Sequence, residues 1–251
     1  MNSADSHCRD LVRAEDKDRF LATLFAPEAA QPHLFALHAF NLEVARIRNL
    51  VSEPHIGLIR QQWWRDTLDA IFAGSVVNHP VADALARAIE AGKLPKEPLQ
   101  NLITAREFDL YADRMPDVSA LETYLGETSS VLIQMAAMIL NPSGARMAAE
   151  AAGLAGVAHG LALILGDPTR RTPFLPPGMD VPAAISHART RLAEARVLRP
   201  RLNLTVLPAF LPVCLAATYL DRIARAPDMP LSVTQFRRQI TLWYHARLNS
   251  F

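Results

Sequence analysis

Three observations on these 251 residues predict an all-α fold. Apolar residues recur three and four positions apart along almost the whole chain, which is the period of one helix face. No stretch sustains apolar–polar alternation with β-branched enrichment, so strands are not expected. Pro27, Pro54, Gly74 and Gly92 fall between the periodic runs, where helices stop.

In chain order, Asp18 to Leu24 predicts a first helix, stopped before Pro27. LFALHAFNLEVARIRNLV, after Pro32, predicts a second, broken at Pro54. IGLIRQQWWRDTLDAIFAG predicts a third with Gly74 as its C-terminal stop. HPVADALARAIEAG predicts a fourth closed by Gly92, and EPLQNLITAREFDLYAD a fifth over residues 97–113. DVSALETYLGETSSVLIQMAAMIL predicts a sixth, capped by Asp117 or Ser119. GARMAAEAAGLAGVAHGLALILGD predicts a seventh, rich in small residues and so suited to close packing. PTRRTPFLPPGMD reads as a loop, because four prolines oppose helix. VPAAISHARTRLAEARVL reads as a basic amphipathic helix. The apolar run LTVLPAFLPVCLAATYL, Leu204 to Leu220, is broken by Pro208 and Pro212, and reads as a buried or membrane-facing helix rather than a span. SVTQFRRQITLWYHARL closes the chain as a basic aromatic helix that packs on the bundle, with a membrane surface as the other reading. No repeat, low-complexity tract or linker interrupts the sequence, so one domain is expected over residues 1–251.

Twenty-six Lys and Arg against 25 Asp and Glu leave a net charge of +1, which argues against nucleic acid. Cys8 and Cys214, the two cysteines, are far apart and form no CxxC pair, which fits a reducing compartment. The polar, acid-containing first 20 residues resemble neither a signal nor a transit peptide. A cytoplasmic protein, in peripheral contact with the inner membrane at most, is expected.

Three separated blocks carry a resemblance. KDRFLATLFAPEAAQPHLFALHAFNLEVARIRN, with Arg19-Phe20, Pro27 and Leu34 to Phe40, resembles the opening of squalene and phytoene synthases. REFDLYADRMPDVSALETYLGETSS and GVAHGLALILGDPTRRTPFLPPG resemble two later stretches, so residues 15 to 178 match that family most clearly. The resemblance implies an isoprenoid-synthase-type helical bundle around a central apolar cavity. It also implies head-to-head joining of two prenyl diphosphates, with Mg²⁺ bridging the leaving group and two aspartate-rich motifs. In this chain the acids of the first motif fall on Ala45, Arg46 and Asn49. The second motif keeps Asp167 but has Arg171 where its partner belongs, and Gly160, Leu163 and Gly166 replace its polar residues. VSEPHIGLIRQQWWRDTL is similar to a signature of a divergent branch that includes mitochondrial complex I assembly factors. It matches at Ser52, Glu53, Pro54, Gly57, Ile59, Arg60 and Gln62 to Asp66, and departs at Leu58. A mitochondrial relative would lie in the matrix. Relatives carry a further helix after the position of Pro177, so part of the cavity wall is expected to be missing.

Candidate residues are read on that frame. Asp109 and Asp167 are the catalytic candidates if turnover survives; Asp109 reads equally as a solvated helix residue, and Asp167 rather as a helix terminator. Glu43, Glu53 and Asp167 are the remaining metal candidates, too few for a hard cation, so no cofactor is expected unless activity brings Mg²⁺. Arg19, Phe20, Arg60, Trp64, Arg65, Arg170 and Arg171 are the substrate-binding candidates. Their plainer readings are core anchors for Trp63 and Trp64, with Leu68 and Ile71 on the face of Trp64, and surface ion pairs for Arg60 and Arg65 with Asp66 or Asp69. Arg170 and Arg171 would hold a phosphate or lipid head group without metal, or form an exposed charge pair. His159, inside an apolar helix, reads as a hydrogen-bonded core histidine. The expected function is a non-catalytic relative that binds an isoprenoid or lipid, or assists assembly of respiratory complex I through one of its subunits. An active prenyltransferase and an interaction module with a collapsed cavity are the alternatives.

Overall fold

The computed structural model describes residues 2–111 and 113–251. Among them there are helices and no strand. Helix α1 (Ser3–Glu15) opens the chain, capped by Asn2 and Asp5, each bonding the other's backbone NH. It was not expected from the polar N-terminus. Ala4, Cys8 and Val12, spaced four apart, form its buried stripe. Asp16 then caps α2 (Lys17–Thr23).

Helices α3 (Gln31–Arg46), α4 (Pro54–Phe72), α5 (Pro80–Gly92) and α6 (Lys96–Ala105) each carry a proline at the N-cap or at one of the first two positions. Proline suits a first turn, whose NH lacks a partner anyway. Gly74 adopts φ 78°, the left-handed stop expected of it. Gly92 closes α5 as expected, as its last helical residue, and Lys93 (φ 48°) takes the left-handed position after it. The predicted fifth helix ends early, because residues 106–110 tighten into a 3-10 turn. Ala112, inside the same prediction, lies outside the described residues.

Asp117 caps α7 (Val118–Leu125), whose run continues through a π turn at Gly126–Ser130 into α8 (Val131–Leu140). Helix α9 (Pro142–Met147) leads to α10 (Ala149–Leu165), the centre of the bundle, which packs on α7, α8, the π turn, α12 (Val181–Leu198) and α14 (Cys214–Arg225). Its small residues have the purpose predicted: a Cβ on Gly156 would lie 2.2 Å from the Cα of Ser130, so helix and π turn meet backbone to backbone.

The proline-rich segment is not wholly loop. It forms a 3-10 turn at Pro168–Arg170 and the short helix α11 (Arg171–Phe174). Pro168 opens the turn and Pro173 lies within the first turn of α11, positions that need no NH donor. The apolar C-terminal run bends through α13 (Leu207–Phe210) into α14. Leu204–Arg225 is long and apolar enough to cross a membrane, yet two-thirds of its most apolar window is buried in the protein, as a core helix would be. Helix α15 (Gln235–Arg247) ends the bundle, tied to α2 by the Arg238–Asp18 ion pair at 2.7 Å.

Candidate functional site

Of the acids expected at the mouth, Glu53 and Asp109 line one cavity and Glu43 lines another. A cavity of about 490 Å³ opens where four segments meet: the 3-10 turn after α3, the start of α4, the segment after α6 and the turn before α11. Arg48, Glu53, Asp109, Arg114, Thr169 and Thr172 line it. Glu43 lies elsewhere, in a separate cavity of about 290 Å³ with Arg60, Trp63, Trp64 and His79, and accepts from Arg46 at 2.5 Å.

Each carboxylate near the mouth already has protein partners. Asp109 is buried, which corrects its reading as a solvated residue. Tyr124 donates to its Oδ1 at 2.7 Å and Arg106 to its Oδ2 at 3.1 Å. Burial, with the carboxylate beside it, pushes the Tyr124 phenol above its ordinary value. Asp167 Oδ1 accepts from the backbone NH and the hydroxyl of Thr169, at 3.0 and 2.7 Å. It caps the next turn, as a helix-terminating aspartate does. Glu53 is exposed, with His55 3.3 Å away.

Arg171 is buried rather than in an exposed loop pair. Its Nε and Nη2 donate to Leu165 O at 2.8 and 2.5 Å. The cation therefore serves the carbonyl end of α10, where a positive charge is favourable. Arg170 lies over the Phe174 ring at 5.3 Å. Arg65 pairs with Glu107, not with Asp66 or Asp69. Trp64 is buried edge-on to Phe40 at 5.3 Å, a core anchor; Leu68 is buried beside it and Ile71 partly so. Phe20 stacks on Phe35.

Arg19 pairs with Asp16 at 2.6 Å inside the bundle. Burial works to raise the Asp16 carboxyl, but the charge and hydrogen bonds of Arg19 outweigh it and leave it below its ordinary value. His38 and His159 lie beside this pair. Burial, reinforced by Arg19, pushes both imidazoles down to about 3, so both are neutral. His159 is a core histidine, but among the described residues its Nε2 has no hydrogen-bond partner; nor have His38 Nδ1, Asn41 Oδ1 or Gln61 Oε1.

Sequence reasoning missed Arg48 and Arg114, the two cations that do line the mouth. Arg114 Nε donates to Leu175 O at 2.7 Å, which holds the 113–115 segment over α11. No spacing joins residues 48 and 114, so only the fold brings them together.

A magnesium cluster of the implied kind does not fit these residues. A hard divalent ion takes about six oxygens, several of them carboxylate. Among the described residues no group of three or more His, Cys, Asp and Glu side chains is placed to share an ion. Arg171 stands where a second carboxylate would be needed.

The squalene/phytoene synthase family model matches residues 12–170. Complex I assembly factor 6 of Bos taurus is 30% identical over 269 residues, covering 96% of this chain and 80% of its own length. The Homo sapiens protein of that name is 29% identical, covering 88% and 74%. Among solved structures, a dehydrosqualene synthase superposes with a TM-score of 0.84 at 15% identity, covering 99% of this chain and 97% of its own. Squalene synthase HpnC from Alicyclobacillus acidocaldarius gives 0.76 at 18%, covering 91% and 95%. A bundle with this fold and these blocks, matched over more than half its length, belongs to the squalene/phytoene synthase family.

Proposed function

We propose that this chain is a non-catalytic member of its family that acts as an assembly factor for respiratory complex I. Its place would be the cytoplasm, in peripheral contact with the inner membrane. The observation that carries this reading is the loss of the family's paired acids and the commitment of the carboxylates nearest to them to protein partners. Asp109 is bonded by Arg106 and Tyr124, Asp167 by Thr169 and Glu43 by Arg46, while Arg171 replaces an acid. Too few free carboxylates remain to neutralise a departing pyrophosphate through metal. The similarity to assembly factor 6 supports the role. In that role the mouth serves as an anion cavity: Arg48 and Arg114 suit the head of an isoprenoid phosphate or another acidic lipid.

Incubation with Mg²⁺ and labelled farnesyl diphosphate is expected to give neither pyrophosphate nor a C30 product. Pyrophosphate release with such a product overturns the non-catalytic reading and restores the active prenyltransferase, for which the shared position of Glu53 and Asp109 at the mouth speaks. Disruption of the gene is expected to lower assembled complex I, with recovery on re-expression; normal complex I in its absence overturns the assembly role. Solvent extraction of purified protein tests the lipid part, which an extract free of isoprenoid and acidic lipid would sink.

A further inference from the structure

Helix α15 is amphipathic the wrong way round. Leu242 is its one buried residue, and Arg238, on the same side, bonds Asp18 and Val233 O. The segment after it is anchored too: Phe251 is buried against Phe210 at 4.9 Å, and Arg196 donates to its carbonyl at 2.8 Å. A surface helix pinned this way ordinarily turns polar residues outward. Here Phe236, Ile240, Trp243, Tyr244 and Leu248 are 50 to 71% exposed. At 100° per residue they fall within about 140° of arc, centred opposite Leu242.

The charge on this face decides what covers it. Met229 to Phe251 contains no Asp or Glu, but holds Arg237, Arg238 and Arg247. Arg237 and Arg247 are exposed, and Arg247 lies over the Trp243 ring at 5.9 Å. A second copy seated here would set cation against cation. An acidic bilayer would meet the arginines with lipid phosphates and take the aromatic side chains at its interface, the depth that Trp and Tyr favour.

We propose that the outward face of α15 is a docking surface for anionic membranes, laying the bundle on the bilayer with α15 parallel to it. This deepens the peripheral placement proposed for the chain, but the binding it predicts does not depend on the assembly role. A chain that binds vesicles yet does not affect complex I would separate the two.

The test is flotation of the full chain with phosphatidylcholine vesicles, with and without phosphatidylglycerol. The chain is expected to float with the acidic vesicles and not with the neutral ones, and to be released by high salt. Trp243→Ala combined with Ile240→Asn is expected to weaken partitioning by about tenfold or more, since burying aromatic and aliphatic surface supplies much of interfacial affinity. Circular dichroism checks that this variant still folds. Ile59→Ser, which alters an exposed apolar residue on α4, is expected to leave partitioning unchanged. As a readout that needs no variant affinity, brominated acyl chains should quench tryptophan emission in the native chain and not in Trp243→Phe. Failure to bind acidic vesicles, equal binding to neutral ones, or quenching that persists in Trp243→Phe overturns the proposal. A complex with a second copy or another protein in place of lipid would appear as that first failure.

Discussion

Gly153 and Gly156 sit one turn apart on α10 and meet opposite surroundings. A Cβ on Gly153 meets nothing within 4 Å, whereas one on Gly156 would fall on the backbone of Ser130. Gly153→Ala is therefore expected to stabilise the chain by about 0.5–1 kcal/mol, because alanine restricts the unfolded backbone. Gly156→Ala is expected to cost about 3 kcal/mol, since helix and π turn must separate. Urea melts of the two variants check both signs, and a Gly156→Ala as stable as the parent would remove the backbone contact from the account. Asp109 offers a second test. Asp109→Asn leaves the Arg106 guanidinium without its buried carboxylate, for about 3 kcal/mol of lost stability. Tyr124→Phe, which removes a neutral hydroxyl that donates to Asp109 and accepts from Arg106 but leaves the ion pair, should cost about 1–2 kcal/mol. Reversal of that order in denaturant melts would show that the ion pair is not what holds this corner.

At the scale of elements, capping chemistry carried most of what could be read in advance. Asp117 caps α7 and Gly74 turns left-handed because a side-chain oxygen and a missing Cβ are local properties. The failures have physical causes as well. Helix α1 hides its three-residue buried stripe in a polar sequence. Helix α11 survives its proline because Pro173 falls in a turn where no NH is needed. Helix α5 closes at Gly92 as expected, with Lys93 rather than the glycine in the left-handed position. The site was less legible than the fold. The loss of paired carboxylates was visible at Arg171, but its contact with Leu165 O was not, nor were Arg48 and Arg114 at one mouth. Arg171→Met tests the element-level role. It strips the last turn of α10 of its cation and two donors, and is expected to cost about 1–3 kcal/mol. Hydrogen exchange should speed at the end of α10 and little elsewhere; unchanged exchange at residues 162–166 would refute the capping role.

For the whole molecule, the buried polar centre sets how stability depends on pH. His38 and His159 have an ordinary value of 6.5 and are pushed down to about 3 in the fold. Between those values the unfolded chain binds a proton at each histidine and the folded chain does not. Stability therefore rises with pH and is lost on acidification below about 6.5, at about 1.4 kcal/mol per pH unit for each histidine. His33, His79 and His245, also pushed down by burial, act in the same direction. Burial works to raise Glu122, but hydrogen bonds from Arg191 and His187 hold it below its ordinary value of 4.5, so its contribution is lost only at lower pH still. Asp18 acts oppositely, because burial raises its carboxyl and favours the fold in acid. From pH 6.5 down to about 4.5 the histidines lower stability on acidification, and Asp18 offsets part of that loss. His159→Gln is expected to lower stability at neutral pH only modestly and to flatten the acid slope by about 1.4 kcal/mol per pH unit, and adding His38→Gln by about as much again. Guanidinium melts at half-unit pH steps measure the slope. A double variant that loses stability on acidification as steeply as the parent would mean that water or a proton reaches these imidazoles inside the fold, and that burial does not keep them neutral.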